Sequence, residues 1–377
     1  MAGIYLHIPF CKKACHYCDF HFSTSPAYKD QMVKALRSEL ILRKPYLGNE
    51  LIETIYFGGG TPSVLSVDDL SMLIHTITEN YEVSASAEIT LEANPDDLIP
   101  QKVKEFRQTP VNRFSIGIQS FFEEDLKWMN RAHNASEGLS SIKRVQDAGF
   151  ENITADLIYG YPLLSDEKWM FNIRELIDLQ IPHISSYSMT VEPATALASF
   201  IQKGKQKAMD EGQSARQFEI LMDELQGADF EHYEISNFAK PGSRSKHNSN
   251  YWEGVNYMGI GPSAHSFNGD SRQWNVADNM KYIQSMEQNK VPFEIEHLTT
   301  ENRINEYIMT ALRTSKGIDL SFVSQRYHSD YSLQIRNSLE PFLDKEWAIL
   351  TNQTVTLSKQ GKLFADHIAS ELFVELL

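Results

Sequence analysis

The sequence predicts an α/β protein: a barrel of strand–helix units, followed by a small helical, winged-helix-like C-terminal domain. Three observations predict it. Short β-rich runs alternate with helical patterns from residue 3 to about residue 190. The chemically unusual residues fall at the ends of those β-rich runs. Beyond residue 300 the pattern changes to helices, a hairpin and a last helix.

Taken in order, the strand candidates are "GIYLHI", "ETIYF", "AEITLE", "RFSIGIQ", "ITADLIY" and "HISSYSM". Several are apolar at nearly every position, as expected of parallel strands covered on both faces. Between them lie "YKDQMVKALRSELILRK", "SVDDLSMLIHTITENY", "DLIPQKVKEFRQ", "ASEGLSSIKRVQDAG" and "DEKWMFNIRELIDLQ", all helix-like. In the fourth, Leu139, Ile142, Val145 and Ala148 share one face and Gly149 is the stop. Strand, helix, strand repeated about six times gives parallel βα units with right-handed crossovers. Cys11 follows the first strand and "GGGTP" the second, while Glu92, Gln119 and Asp156 mark the third, fourth and fifth. In a βα barrel the C-terminal strand ends converge on one mouth, where these features meet. A flat doubly wound sheet concentrates its site at a single switch point instead.

After residue 190, "QKGKQKAMDEGQSARQFEILMDELQGA" runs from a polar stretch into an amphipathic helix. "HYEISNFAKPGSRSKHNSNYWEGVNYMGIGPSAHSF" reads as strand, long loop and strand. "WAILTNQTVTLS" is hairpin-like, and "KQGKLFADHIASELFVELL" is the last helix. The expected organisation is a barrel over residues 1–230, a linking strand and loop region with "HNSNYW" over 231–298, and a winged-helix-like domain over 299–377.

Composition sets limits. A chain of 377 residues with 42% hydrophobic and 23% charged residues is an ordinary globular protein. Its 35 basic and 50 acidic residues leave a net charge of −15, which argues against a nucleic-acid partner. No apolar run approaches the ~18 residues of a transmembrane helix. The N-terminus lacks the basic region and cleavage site of a signal peptide. The cysteine count is odd and all three lie in one cluster, so no disulfide framework is expected and the compartment is reducing, the cytoplasm.

Those cysteines, Cys11, Cys15 and Cys18, form a C-x3-C-x2-C triplet inside "IYLHIPFCKKACHYCDFHF". Two readings stand beside each other. Zinc would complete a Cys3His site with His16 or His21. An iron–sulfur cubane held by three thiolates would keep one iron open for a substrate, which suits a barrel mouth.

"CKKACHYC", with "GGGTP" some forty residues later, resembles the radical S-adenosylmethionine (SAM) superfamily. The resemblance implies a partial (β/α)6 barrel and a [4Fe–4S] cluster whose open iron chelates SAM. "YLHIPFC", "YFGGGTPS", "LEANP", "FSIGIQSF", "NRAH", "DLIYGYP" and "HNSNYW" together are similar to the oxygen-independent coproporphyrinogen oxidase family, and most to its haem-chaperone branch. The likeness runs from residue 4 to about 190 and resumes at "HNSNYW" and "GIGPSAHSF".

The resemblance implies SAM contacts at Tyr5, Tyr17, Gly59, Gly60, Thr61, Glu92, Gln119, Arg131 and Asp156. The glycines let backbone approach the methionyl amine. Asp156 stands among apolar strand residues, where a charge is costly without a partner. His247, beside Tyr251 and Trp252, is either a haem contact or a residue packing onto the barrel. His265 in "SAHSF" falls near the expected mouth.

This chain departs from the oxidase in two places. Phe20 stands where the oxidase has a fourth cysteine, and only three residues precede "IYLHIPFC" where the oxidase has a long arm. The expected function is therefore haem binding and delivery to recipient haemoproteins, with an electron donor for the cluster. Coproporphyrinogen oxidation is the alternative.

Overall fold

The computed structural model describes residues 1–375. Six parallel strands lie side by side in chain order: β1 (Ala2–Ile8), β2 (Ile52–Gly59), β3 (Val83–Ala93), β4 (Arg113–Gln119), β5 (Asn152–Tyr159) and β6 (His183–Ser188). The segments between them fold as α1 (Lys29–Leu42), α2 (Val67–Asn80), α3 (Pro100–Phe106), α4 (Glu123–Trp128), α5 (Ala135–Asp147) and α6 (Asp166–Asp178). Local chemistry starts these helices: Ser66 and Ser165 cap α2 and α6, and Asn134 with Glu137 makes a capping box on α5. This is the partial (β/α)6 barrel.

The strands are not apolar on both faces. Ile4, Leu6 and Ile8 of β1, Phe57 of β2, Leu91 of β3 and Phe114, Ile116 and Ile118 of β4 point outward. There they join helix residues such as Leu36, Leu73 and Ile142 in one core. The alternate residues point inward and most are polar: Tyr5 and His7, Tyr56, Glu88 and Glu92, Arg113 and Ser115, Asp156, and Ser185. The uniform-looking runs hide this alternation because Tyr, Thr and Gly also occupy inward positions. An apolar exterior packed on helices and a polar interior are what a ligand-holding barrel needs.

Residues 231–298 are more than a link. After α7 (Ala196–Gln202) and α8 (Glu211–Gly227), the short strands β7 (Glu231–Glu234) and β8 (Asn237–Ala239) extend the sheet antiparallel beyond β6. On the other side β9 (Asn256–Ile260) runs parallel to β1. Outside it, β10 (His265–Phe267), β11 (Ser271–Asn275) and β12 (Phe293–His297) continue antiparallel. The full sheet has 12 strands. The expected long loop is partly helical, because "KHNSNYW" forms α9 (Lys246–Trp252), capped by Ser245. The helix α10 (Asn279–Glu287) connects β11 to β12.

The C-terminal part has a core of its own, built from residues such as Ile304, Leu312, Val323, Ile335, Leu339, Val355 and Ile368. It comprises α11 (Thr300–Leu312), α12 (Leu320–Arg326), α13 (Ser329–Asp344) and α14 (Ala365–Glu371). A small sheet of β13 (Ile318–Asp319), β14 (Ala348–Thr351) and β15 (Thr354–Leu357) pairs in the order β13-β15-β14 and forms the wing. The last helix is shorter than its sequence suggested, since a 3-10 turn occupies Gly361–Phe364. Among the described residues no helix is long and apolar enough to cross a membrane.

Candidate functional site

The three cysteines lie on the loop that leaves β1. The loop closes on itself through hydrogen bonds from Cys11 N to Ser23 O and from Ser23 N to Pro9 O, at 3.0 and 2.9 Å. The segment after α4 holds it from across the mouth. His16 N donates to Met129 O at 3.0 Å, and the Asn130 side chain donates to Ala14 O at 2.7 Å. Arg131 Nη1 lies 3.4 Å from both Cys15 Sγ and the Tyr17 hydroxyl. Its Nη2 donates to Asn94 Oδ1 at 2.7 Å and to Gly117 O at 3.0 Å. Thr61 donates to Cys11 Sγ at 3.4 Å. Burial pushes the Cys11 and Cys18 thiols up to about 11, outweighing the hydrogen bonds that favour thiolate. They ionise fully only when a cation arrives.

Each candidate histidine of a Cys3His zinc site engages a protein partner through one ring nitrogen and keeps the other. His16 Nδ1 is 2.9 Å from Trp128 O, and its ring meets Phe200 edge-on at 5.0 Å. His21 Nε2 is 2.8 Å from Asn279 Oδ1. His7 anchors the returning loop: its Nε2 donates to His21 O at 2.8 Å, which leaves Nδ1 to accept from the Tyr5 hydroxyl at 3.1 Å.

The glycine run is required by packing. Gly59 has φ of 103°, and a Cβ there would lie 2.5 Å from the His7 ring. A Cβ on Gly60 would lie 2.7 Å from Phe10 O. The amides of Gly60 and Thr61 donate to Ile8 O and Phe10 O at 3.0 and 2.7 Å. The run thus seals the exit of β2 onto that of β1, directly beneath the cysteines.

Below them, above the floor-end Glu88, lie two further inward carboxylates, Glu92 and Asp156. Glu92 accepts from the Tyr56 hydroxyl at 2.7 Å. Burial, with the Asp156 charge adding to it, raises Glu92 to about 7. Burial raises Asp156 to about 6, against hydrogen bonds from Ser185 and Ser115, the latter at 3.2 Å. Gln119, with φ of 66°, has a buried Oε1 without a partner, and so has Arg131 Nε. Tyr5, Tyr17, Gly59, Gly60, Thr61, Glu92, Gln119, Arg131 and Asp156 therefore share the strand-end side of the barrel with the cysteines.

His247 lies below them, its ring 6.5 Å from that of Tyr5. It is 5% exposed and sits at the opposite, floor end of the barrel, beside Gly3 and Thr54 at the starts of their strands. Its Nδ1 is 2.8 Å from the Thr54 hydroxyl, and its ring stacks on Tyr56 at 4.8 Å. Burial lowers it to about 3, so it is neutral. Its Nε2 has no partner among the described residues, and its contacts with Thr54 and Tyr56 are those of the packing reading. Of its neighbours, Tyr251 stacks on Tyr257 at 4.3 Å and Trp252 lies 5.3 Å beneath Arg313.

Asn94, Tyr56, His7 and Asn130 escaped the sequence reading. Tyr56 and His7 occupy the same inward rows as Gly58 and Tyr5, a strand alternation that could have found them. Asn94 lies within the quoted "LEANP".

A six-stranded partial barrel with three cysteines on its first exit loop defines a radical SAM protein. The Radical SAM superfamily model matches residues 5–176, and the HemN C-terminal domain model matches residues 298–364. Over 381 aligned residues the chain is 34% identical to heme chaperone HemW of Bacillus subtilis, covering 100% of both. It is 36% identical over 265 residues to heme chaperone HemW of Escherichia coli, covering 70% of this chain and 69% of that one. The chain belongs to the HemW family. Coproporphyrinogen III oxidase (HemN) from Escherichia coli shares the fold, with a TM-score of 0.86 at 24% identity over 100% of this chain and 90% of that one.

The residues fit the cofactors that the superfamily's name implies. SAM is a cation that also carries an amine and hydroxyls. Glu92 and Asp156 are buried carboxylates whose raised pKa values mark the want of a cation, and the orphaned Gln119 Oε1 is a spare acceptor. Among the described residues no three His, Cys, Asp or Glu side chains converge on one ion position. A cubane does not need that, because each thiolate holds a different iron.

Proposed function

We propose that this protein is a haem chaperone, which binds haem and passes it to recipient haemoproteins. The observation that carries the reading is the identity to a heme chaperone HemW over the whole of both chains. Cys11, Cys15 and Cys18 hold a [4Fe–4S] cluster, with Arg131 and Thr61 bonded to two of the sulfurs. Tyr5, Tyr17, Gly59, Gly60, Thr61, Glu92, Gln119, Arg131 and Asp156 surround SAM. Together these cofactors supply one-electron reductive cleavage of a sulfonium, which calls for an electron donor.

The chain's own residues bind and orient. Glu92 and Asp156 neutralise the bound cation, each giving up its proton as the ligand arrives. The Arg131 fork keeps Cys15, Tyr17 and Asn94 in fixed register. Tyr17 covers the mouth and excludes water. A net charge of −15 offers no basic surface to nucleic acid, and the clustered thiols suit the cytoplasm.

The test is anaerobic reconstitution, with haem and coproporphyrinogen III offered separately. The expected result is a Soret band that survives gel filtration and no loss of propionate carboxyls. Cys11-dependent decarboxylation without haem retention would overturn the reading in favour of the oxidase.

A further inference from the structure

The inward face of the barrel does not stop at β1. Gly3 pairs with Tyr257 and Tyr5 with Gly259, so the inward row of β1 continues onto β9. Phe267 pairs with both Tyr257 and Arg272, and His265 pairs with Trp274. Directly paired residues project to the same side of a sheet. Tyr257, Phe267, His265 and Trp274 therefore stand on the face that carries Tyr5 and His7 and form a wall of rings. Tyr257 and Phe267 lie at the level of Gly3, toward the floor, and His265 and Trp274 lie one step nearer the opening, at the level of Tyr5. Tyr257 and Phe267 are 6.2 Å apart. His265 and Trp274 are also 6.2 Å apart, with rings 30° from parallel.

His265 differs from the other histidines of this rim. His7, His16 and His21 each engage a protein partner through a ring nitrogen. His265 is exposed, and its ring makes no hydrogen bond among the described residues. Its place is fixed by the preceding turn, which folds over the end of β1: a Cβ on Gly261 would lie 2.7 Å from His7 O. On the cysteine loop, next to His21, Phe20 is 66% exposed.

We propose that haem lies against this wall, with His265 as the axial ligand of its iron and the macrocycle packed beside Trp274. The proposal rests on the haem-chaperone reading. A porphyrin asks for flat apolar area and one imidazole nitrogen, and this face supplies both in the open, whereas the His247 ring is buried. Desolvation lowers the His265 pKa, which keeps the imidazole neutral and able to ligate. Arg272, the cation of the wall, is already paired with Glu306. Ligation and stacking, rather than propionate pairing, carry the affinity, so haem binding depends little on salt.

The experiment is titration of the whole protein with ferric haem, read by the Soret band and by retention on gel filtration. His265→Ala should shift the band and weaken binding by at least about tenfold, and added imidazole should restore the band position. Trp274→Ala should weaken binding with the band position kept. A wild-type protein that retains no haem would take down the chaperone reading itself. Wild-type binding with band and affinity unchanged in His265→Ala overturns the His265 assignment alone. His265 is exposed, so its loss spares the fold. If the alanine variant nonetheless fails to fold, His265→Met decides: it keeps a ligand of different kind, and an unshifted band overturns the proposal.

Discussion

Arg131 and Cys15 are bonded across the barrel mouth, with guanidinium Nη1 3.4 Å from the sulfur. The same guanidinium holds Tyr17, Asn94 and Gly117, so one side chain ties the cysteine loop to the exits of β3 and β4.

Arg131→Lys keeps the charge and loses the planar fork that serves four partners. Asn94 Oδ1 or Gly117 O is then left without its donor, at a cost of about 1–3 kcal/mol. The expected outcome is a lower urea midpoint for the apo protein, together with reconstituted iron that is lost faster on desalting. Equal midpoints and equal iron retention would remove Arg131 from this role.

Glu92 and Asp156 give the site a pH dependence. Their folded values of about 7 and about 6 exceed the ordinary 4.5 and 3.8, so the folded protein keeps protons that the unfolded chain has released. The pair's contribution to stability is fully present below about pH 4 and is lost as pH rises through 6 and 7. The Tm of the apo protein should therefore carry a downward slope over that window, and Glu92→Gln should flatten it. By the same linkage, SAM should displace protons when it binds near pH 6. Calorimetric enthalpies would then vary with the ionisation heat of the buffer. Identical enthalpies in phosphate and Bis-Tris would contradict the placement of these carboxyls around the cation.

His247→Ala should act on stability and not on haem. It deletes a buried ring stacked on Tyr56 and orphans the Thr54 hydroxyl. The loss should be about 2–4 kcal/mol by urea unfolding. Haem titration of the folded fraction should match wild type, and a changed Soret band would return His247 to the cargo site.

Gly59→Ala places a methyl 2.5 Å from the His7 ring in a backbone conformation with φ of 103°. His7 must swing away, and with it goes the bond that anchors His21 O. The variant should lose at least about 1 kcal/mol and release iron more readily after reconstitution. Gly48→Ala, also at positive φ but with open space around it, separates backbone strain from collision.

The legible part of the site was the part at strand ends. Cys11, Glu92, Gln119 and Asp156 terminate or interrupt β-rich runs, and parallel βα connectivity sends those ends to one side. The orientation of α9 was not legible. "KHNSNYW" has loop-like composition, and only its Ser245 cap and its packing under the barrel make it a helix that turns His247 inward. Of the outer strands, β7 and β9 fall in the strand, loop and strand that the sequence suggested, whereas β8, β11 and β12 were obscure, because three to five residues are too few to display an alternation. Arg131 was visible as a motif residue, but its four partners come from three segments that only the fold brings together.

The sheet ends in β12, whose five residues are all exposed and which pairs on one side only, with β11. Its other side presents free amides and carbonyls, a template for adding a strand. Phe293 and Ile295 would make such an addition sticky, yet Glu294 and Glu296 alternate with them. A second copy pairing edge to edge about Ile295 brings two glutamates of its own against these two, on a molecule already carrying a net charge of −15. The same repulsion turns into attraction for a lysine-bearing extended segment, so the charges of this edge discriminate among the strands that would add to it.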